Sequence, residues 1–151
     1  MKRYRCAFAG IVLAVKTSRS LRIQLAAAVH VLLFGFWQGL SAADWAIELL
    51  CCAAVLSLET VNSAIERLAD RVTRAQDRDI GAVKDMAAGA VLTVALFSAA
   101  VWVTILFAGA DGRYRAALLG LLGRHVWPWL VLVFTAALSA VWIYSIGRKK
   151  S

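Results

Sequence analysis

Four apolar stretches, each about as long as a bilayer is thick, leave this chain few folds to choose from. They run from about Ile23 to Leu40, Trp45 to Ile65, Met86 to Ala110 and Val126 to Ile146. A helix needs roughly 20 residues to cross a hydrocarbon core. An open strand there would leave backbone groups unpaired, so each stretch is predicted to be a helix. The chain is 62% hydrophobic, where a soluble domain of 151 residues carries more charge. Met1 to Val15 starts basic and turns apolar like a signal peptide. It runs into Lys16-Thr17-Ser18-Arg19, not a small-residue cleavage site, and reads as a surface amphipathic helix. The expected fold is an all-α membrane protein: this N-terminal surface helix, three core transmembrane helices, and an additional C-terminal transmembrane helix.

Basic residues set the orientation. Residues 1–22 hold six, residues 67–84 hold Arg67, Arg71, Arg74, Arg78 and Lys84, and the tail holds Arg148, Lys149 and Lys150. The 39–44 turn holds none. Four membrane crossings with both termini cytoplasmic fit this bias; Arg113, Arg115 and Arg124 run against it. Trp37, Trp45, Trp127 and Trp129 form an outer aromatic belt in this frame, with Tyr144 near the inner end. The net charge of +8 flanks apolar runs instead of forming an aromatic-interleaved face, which points to anionic lipid and not to nucleic acid. Cys6, Cys51 and Cys52 give no disulfide framework and read as small hydrophobes.

Chemistry enters at the end of the second stretch. Glu59, Asn62, Glu66 and Asp70 are spaced three, four and four apart, which puts them on one helix face. Ionisable groups at membrane depth are costly and mark function by default. From Glu59 to Asp70 is ~16 Å along a helix, enough to join a lipid headgroup to a soluble phosphate donor. Lys84-Asp85 opens the third stretch at the same interface. Phosphoryl transfer needs these groups: oxygen ligands for Mg2+, a cation for phosphate charge and a carboxylate to take the alcohol proton. Asp70 alone, with Arg67, Arg71 and Arg74, also fits a solvated helix end. Glu59 and Asn62 do not, because they lie inside apolar sequence. The chain has no GxxxxGK[ST], HExxH or GxSxG motif. His30 is predicted to make an interhelical hydrogen bond, Gly35 to Gly39 is a weak GxxxG, and Ala87-Ala88-Gly89-Ala90 predicts close packing.

The segment E-x-x-N-S-A-I-E-x-x-x-D, followed after a short polar loop by K-D-M-A-A-G-A-V-L, resembles the prokaryotic diacylglycerol kinase family, undecaprenol kinases included. Phe8-Ala9-Gly10 and Leu21-Arg22-Ile23-Gln24 are similar to its N-terminal pattern, and the likeness covers roughly residues 5–109. It implies an integral-membrane lipid kinase domain over 1–110, a homotrimer, Mg2+ and ATP as co-substrate. It further implies Glu59 as the proton acceptor, Glu66 as a metal ligand, and Asn62, Glu66, Asp77, Lys84 and Asp85 around the nucleotide. Arg22, Trp37, Glu59 and Ala88 fall on the lipid side. Diacylglycerol is the first expected acceptor and undecaprenol the alternative. Two departures stand out. Ser18 occupies the position of a metal-binding family Glu, so either Asp77 or Asp79 supplies that charge or activity is reduced. Residues 111–151 add a C-terminal extension beyond the family core. A catalytically impaired structural or regulatory subunit, and a small transporter titrating at Glu59, are the other classes that the residues leave open.

Overall fold

The structure is a computed structural model that describes residues 2–72, 77–108 and 127–148. Five helices account for almost all of them: α1 (Lys2–Thr17), α2 (Arg19–Gln38), α3 (Ala42–Val72), α4 (Arg78–Ala108) and α5 (Trp127–Arg148). No strand occurs among the described residues, so the all-α expectation holds. By length and apolarity α2 and α4 can cross a bilayer, and α5 contains a shorter apolar segment, Val133–Ile146. α3 falls short of that apolarity because it carries Asp44, Glu48, Glu59, Glu66 and Asp70. The 111–125 loop with its three arginines, most of the polar 71–83 loop's centre (73–76), the Lys149-Lys150 tail and the side chains of Trp127 and Trp129 lie outside the described residues.

The helices outrun their apolar stretches. α3 and α4 have 31 residues each, about 46 Å along the axis. Their polar ends stay helical because each added residue gains a backbone hydrogen bond at little further cost. α3 packs most extensively on α4 and then on α2, while α5 lies against α2.

Each corner has a local cause. Ser18 leaves helical geometry (φ −92, ψ 122), and its Oγ accepts the Leu21 N–H at 3.1 Å, capping α2. Arg22 Nη1 donates to the carbonyls of Val15 and Lys16, satisfying the open end of α1. Between α2 and α3, Gly39 adopts φ 64, and the Gly39 and Leu40 N–H groups close back on Phe36 and Gly35. Ser41 Oγ then accepts the Asp44 N–H at 3.2 Å, starting α3. Asp77 Oδ1 accepts from Asp79 N and Ile80 N, starting α4. Along α1, Tyr4, Phe8 and Ile11 form an exposed apolar stripe, as a surface helix requires.

Three local expectations need correction. His30 Nδ1 bonds to the Ala26 carbonyl of its own helix, and its buried Nε2 meets no partner, so the bond is intrahelical. Gly35 and Gly39 do not form a helix-pairing seam: Gly35 yields space to the Glu48 side chain and Gly39 supplies a left-handed cap. Ala88, Gly89 and Ala90 are exposed, and a Cβ on Gly89 would meet nothing within 4 Å, so that segment is not closely packed within the chain.

Candidate active site

The acidic face of α3 is a gradient in burial. Glu59, Asn62 and Ser63 are buried, whereas Glu66 and Asp70 are exposed. Glu59 is only 3% exposed, and both its oxygens are engaged from α2. Ser18 Oγ lies 3.4 Å from Oε1, and Gln24 Nε2 donates to Oε2 at 3.1 Å. Ser18 and Gln24 are six positions apart, so the N-cap and the second turn of α2 reach the carboxylate together. A carboxylate held by two donors keeps one orientation, which suits a group that must meet a particular proton.

One turn further on, Asn62 Nδ2 donates to Glu66 Oε1 at 3.2 Å. Asn62 Oδ1 and Ser63 Oγ are buried and meet no hydrogen-bond partner. At the water end, Lys84 Nζ and Asp70 Oδ1 are 2.7 Å apart, tying the start of α4 to the end of α3. Lys84 precedes the apolar run that opens at Met86. Its hydrogen bond to Asp70 holds the ammonium above the ordinary lysine value, so it is a cation throughout the neutral range.

The expected residues divide accordingly. Ser18 and Glu59 meet, Asn62 and Glu66 pair, and Lys84 joins the same edge through Asp70. Arg22 is spent on the end of α1, although its Nε stays buried without a partner. Asp77 caps α4, a role its position before a helical run also signals. Asp85 and Ala88 are exposed on α4. Trp37 lies 13 residues beyond Gln24 on α2, about 20 Å along the helix. Gln24 and Ser63 were missed. Both entered the sequence reading only as members of matched patterns, Gln24 in Leu21-Arg22-Ile23-Gln24 and Ser63 in E-x-x-N-S-A-I-E.

The group that the family resemblance implies is Mg2+, and the donor set suits it. Glu66 and the orphaned Asn62 Oδ1 are hard oxygen donors, and Mg2+ takes one or two carboxylates with phosphate and water completing its shell. No cluster of three or more His, Cys, Asp or Glu with metal-binding geometry exists among the described residues.

Comparison with known proteins gives the family. The family described as prokaryotic diacylglycerol kinase matches residues 5–106. The undecaprenol kinase of Bacillus subtilis (strain 168) is 38% identical over 96 residues, covering 64% of this chain and 78% of the relative. No solved structure matches the chain. The match runs from within α1 to within α4, takes in every residue of the Glu59 cluster and leaves α5 outside. The chain belongs to the prokaryotic diacylglycerol kinase family and is a lipid kinase.

Proposed function

We propose that the chain transfers the γ-phosphate of ATP to the hydroxyl of a membrane lipid, with undecaprenol as acceptor and Glu59 as general base. The observation that carries this is the buried Glu59 carboxylate clamped by Ser18 and Gln24, at the deep end of a polar face that rises to Lys84. The 38% identity to an undecaprenol kinase moves the acceptor from diacylglycerol, the first expectation, toward the polyprenol. Diacylglycerol remains the second reading, supported by the family description.

In this mechanism Glu59 accepts the proton of the lipid hydroxyl. The freed oxygen forms a bond to the γ-phosphorus as the bond to the β–γ bridging oxygen breaks, and ADP leaves with that electron pair. Gln24 and Ser18 hold Glu59 against rotation toward its own helix. Asn62 Oδ1 and Glu66 would hold Mg2+, which supplies charge neutralisation on the phosphates when bound. Lys84 exchanges Asp70 for phosphate oxygen. Asp85 stands beside it for the nucleotide.

The chain divides into the kinase domain over 1–110 and an extension over 111–151. It lies in the cytoplasmic membrane with both termini inside. The exposed apolar residues of α4, among them Leu92, Leu96 and Phe97, support assembly as a homotrimer or burial in lipid. The test is transfer of labelled γ-phosphate in mixed micelles with undecaprenol or diacylglycerol. Product with undecaprenol that vanishes in Glu59→Gln supports the reading. Product with diacylglycerol alone replaces the acceptor, and product undiminished in Glu59→Gln removes the base.

A further inference from the structure

A second buried acid lies on α3, well away from the site above. Glu48 is 3% exposed and 11 residues before Glu59, about 16 Å along the helix. Neither carboxylate oxygen closes a hydrogen bond with any described group. The Trp102 indole N–H lies beside the carboxylate and interacts with it, although neither oxygen meets full hydrogen-bonding geometry. Space for the carboxylate has been made on α2: a Cβ on Gly35 would come within 2.6 Å of Glu48 Oε2. The acid is seated, yet its acceptors are idle.

Glu48 also lines a cavity of about 330 Å³ between α2, α3 and α4. Its walls are apolar, with Ala28, Val55, Ala99 and Ile105 among them. This is the size and lining of a small-molecule site, where a few polar groups in apolar walls fix orientation. At the other end lies Gln24, whose Oε1 is buried without a partner.

We infer that this cavity binds a membrane-soluble primary amine, its alkyl chain along the apolar walls and its ammonium on Glu48. A plain lipid tail would leave the buried carboxylate without a full hydrogen bond, which is costly wherever water is excluded. An alcohol donates one hydrogen bond. An ammonium donates three and carries the compensating charge, so it serves both oxygens. The acid lies outside the phosphoryl-transfer machinery, which shares only Gln24 with this cavity.

The test is equilibrium binding of labelled decylamine to the full chain in phosphatidylcholine nanodiscs, with uptake by empty discs subtracted. Decanol serves as the matched uncharged probe. The expected result is one saturable site for decylamine, with decanol binding about tenfold or more weaker. Glu48→Gln should weaken decylamine by at least about tenfold. Ala28→Phe, which fills the cavity and keeps the acid, should abolish saturable binding. Thermal unfolding of each variant by circular dichroism identifies loss through misfolding, and Glu48→Leu replaces Glu48→Gln if that variant melts early. Decylamine uptake equal to that of empty discs overturns the proposal. So does saturable binding that Glu48→Gln and Glu48→Leu leave unchanged, or decanol binding as tightly as decylamine.

Discussion

Gln24 and Glu59, 35 positions apart, are joined by a 3.1 Å hydrogen bond from Nε2 to Oε2 across the α2–α3 contact. Glu59 is therefore positioned by a neighbouring helix and not by its own. Removing the donor leaves the acid in place with one fewer constraint. Gln24→Leu should lower kcat about tenfold, as loss of a hydrogen bond to a charged group implies, with KM for ATP nearly unchanged. Steady-state kinetics in micelles check this. A rise in KM with kcat intact would make Gln24 a binding residue.

Glu59→Gln keeps the shape of the side chain and removes its basicity. The expected loss in kcat is about 10²- to 10⁴-fold, the usual contribution of a general base. Thermal unfolding should shift little, because an amide still accepts from Ser18 or Gln24. A collapse in melting temperature equal to the collapse in rate would make the residue structural.

Ser18 caps α2 and touches Glu59, so its variants separate two effects. Ser18→Ala should cost about 1 kcal/mol of stability through the lost cap. Ser18→Glu restores the acid of the family pattern but sets a second carboxylate beside Glu59. It should melt earlier in chelator and recover on titration with Mg2+, with activity above the parent at saturating metal. Melting curves that ignore Mg2+ would show that position 18 takes no part in metal binding.

Lys84 and Asp70 pair at an exposed edge, their side chains 37% and 68% accessible. Pairs of that kind stabilise weakly and are screened by salt. The folded-state value of Lys84 is raised, so any stability from the pair is fully present below the unfolded lysine value. It is lost only as pH rises through the higher folded one. Asp70→Asn should thus lower stability by the same small amount at every pH from 6 to 9. Lys84→Ala should instead raise KM for ATP several-fold. A pH-dependent loss in that range would require another titrating group.

Gly35→Ala places a methyl against Glu48 Oε2 and Leu40 Cδ1, at 2.6 and 2.9 Å. Crowding of this kind costs about 1–3 kcal/mol. Alanine recovers about 0.5–1 kcal/mol of helix propensity over glycine. A net loss is expected, and Glu48→Ala in the same chain should relieve part of it. Chemical denaturation of the four members of that cycle gives the coupling directly.

The polar face of α3 was legible because helical periodicity is a local property: Glu59, Asn62, Glu66 and Asp70 had to share a side. The corners were half legible. Asp77 was read as a nucleotide ligand, although an acid just before a helical run is first of all a cap. The partners of Glu59 were not legible, since sequence spacing does not say which turn of α2 faces which turn of α3. The bonds of Arg22 to the Val15 and Lys16 carbonyls were not legible for the same reason, since spacing does not say how α1 meets α2. Glu48 escaped notice. One acid near a predicted outer turn resembles an interfacial charge, and only the packing of Gly35 shows it sealed inside.

The turn that joins α2 to α3 comprises Gly39, Leu40 and Ser41, pinned by backbone hydrogen bonds on one side and a serine cap on the other. So short a tether fixes the two rods at that end like the pivot of a pair of tongs. Widening of the gap between them must then grow toward the jaws, where Ser18 and Gln24 grip Glu59. A bulky lipid entering there would loosen the grip on the base, and the grip would be restored as the jaws shut on the alcohol.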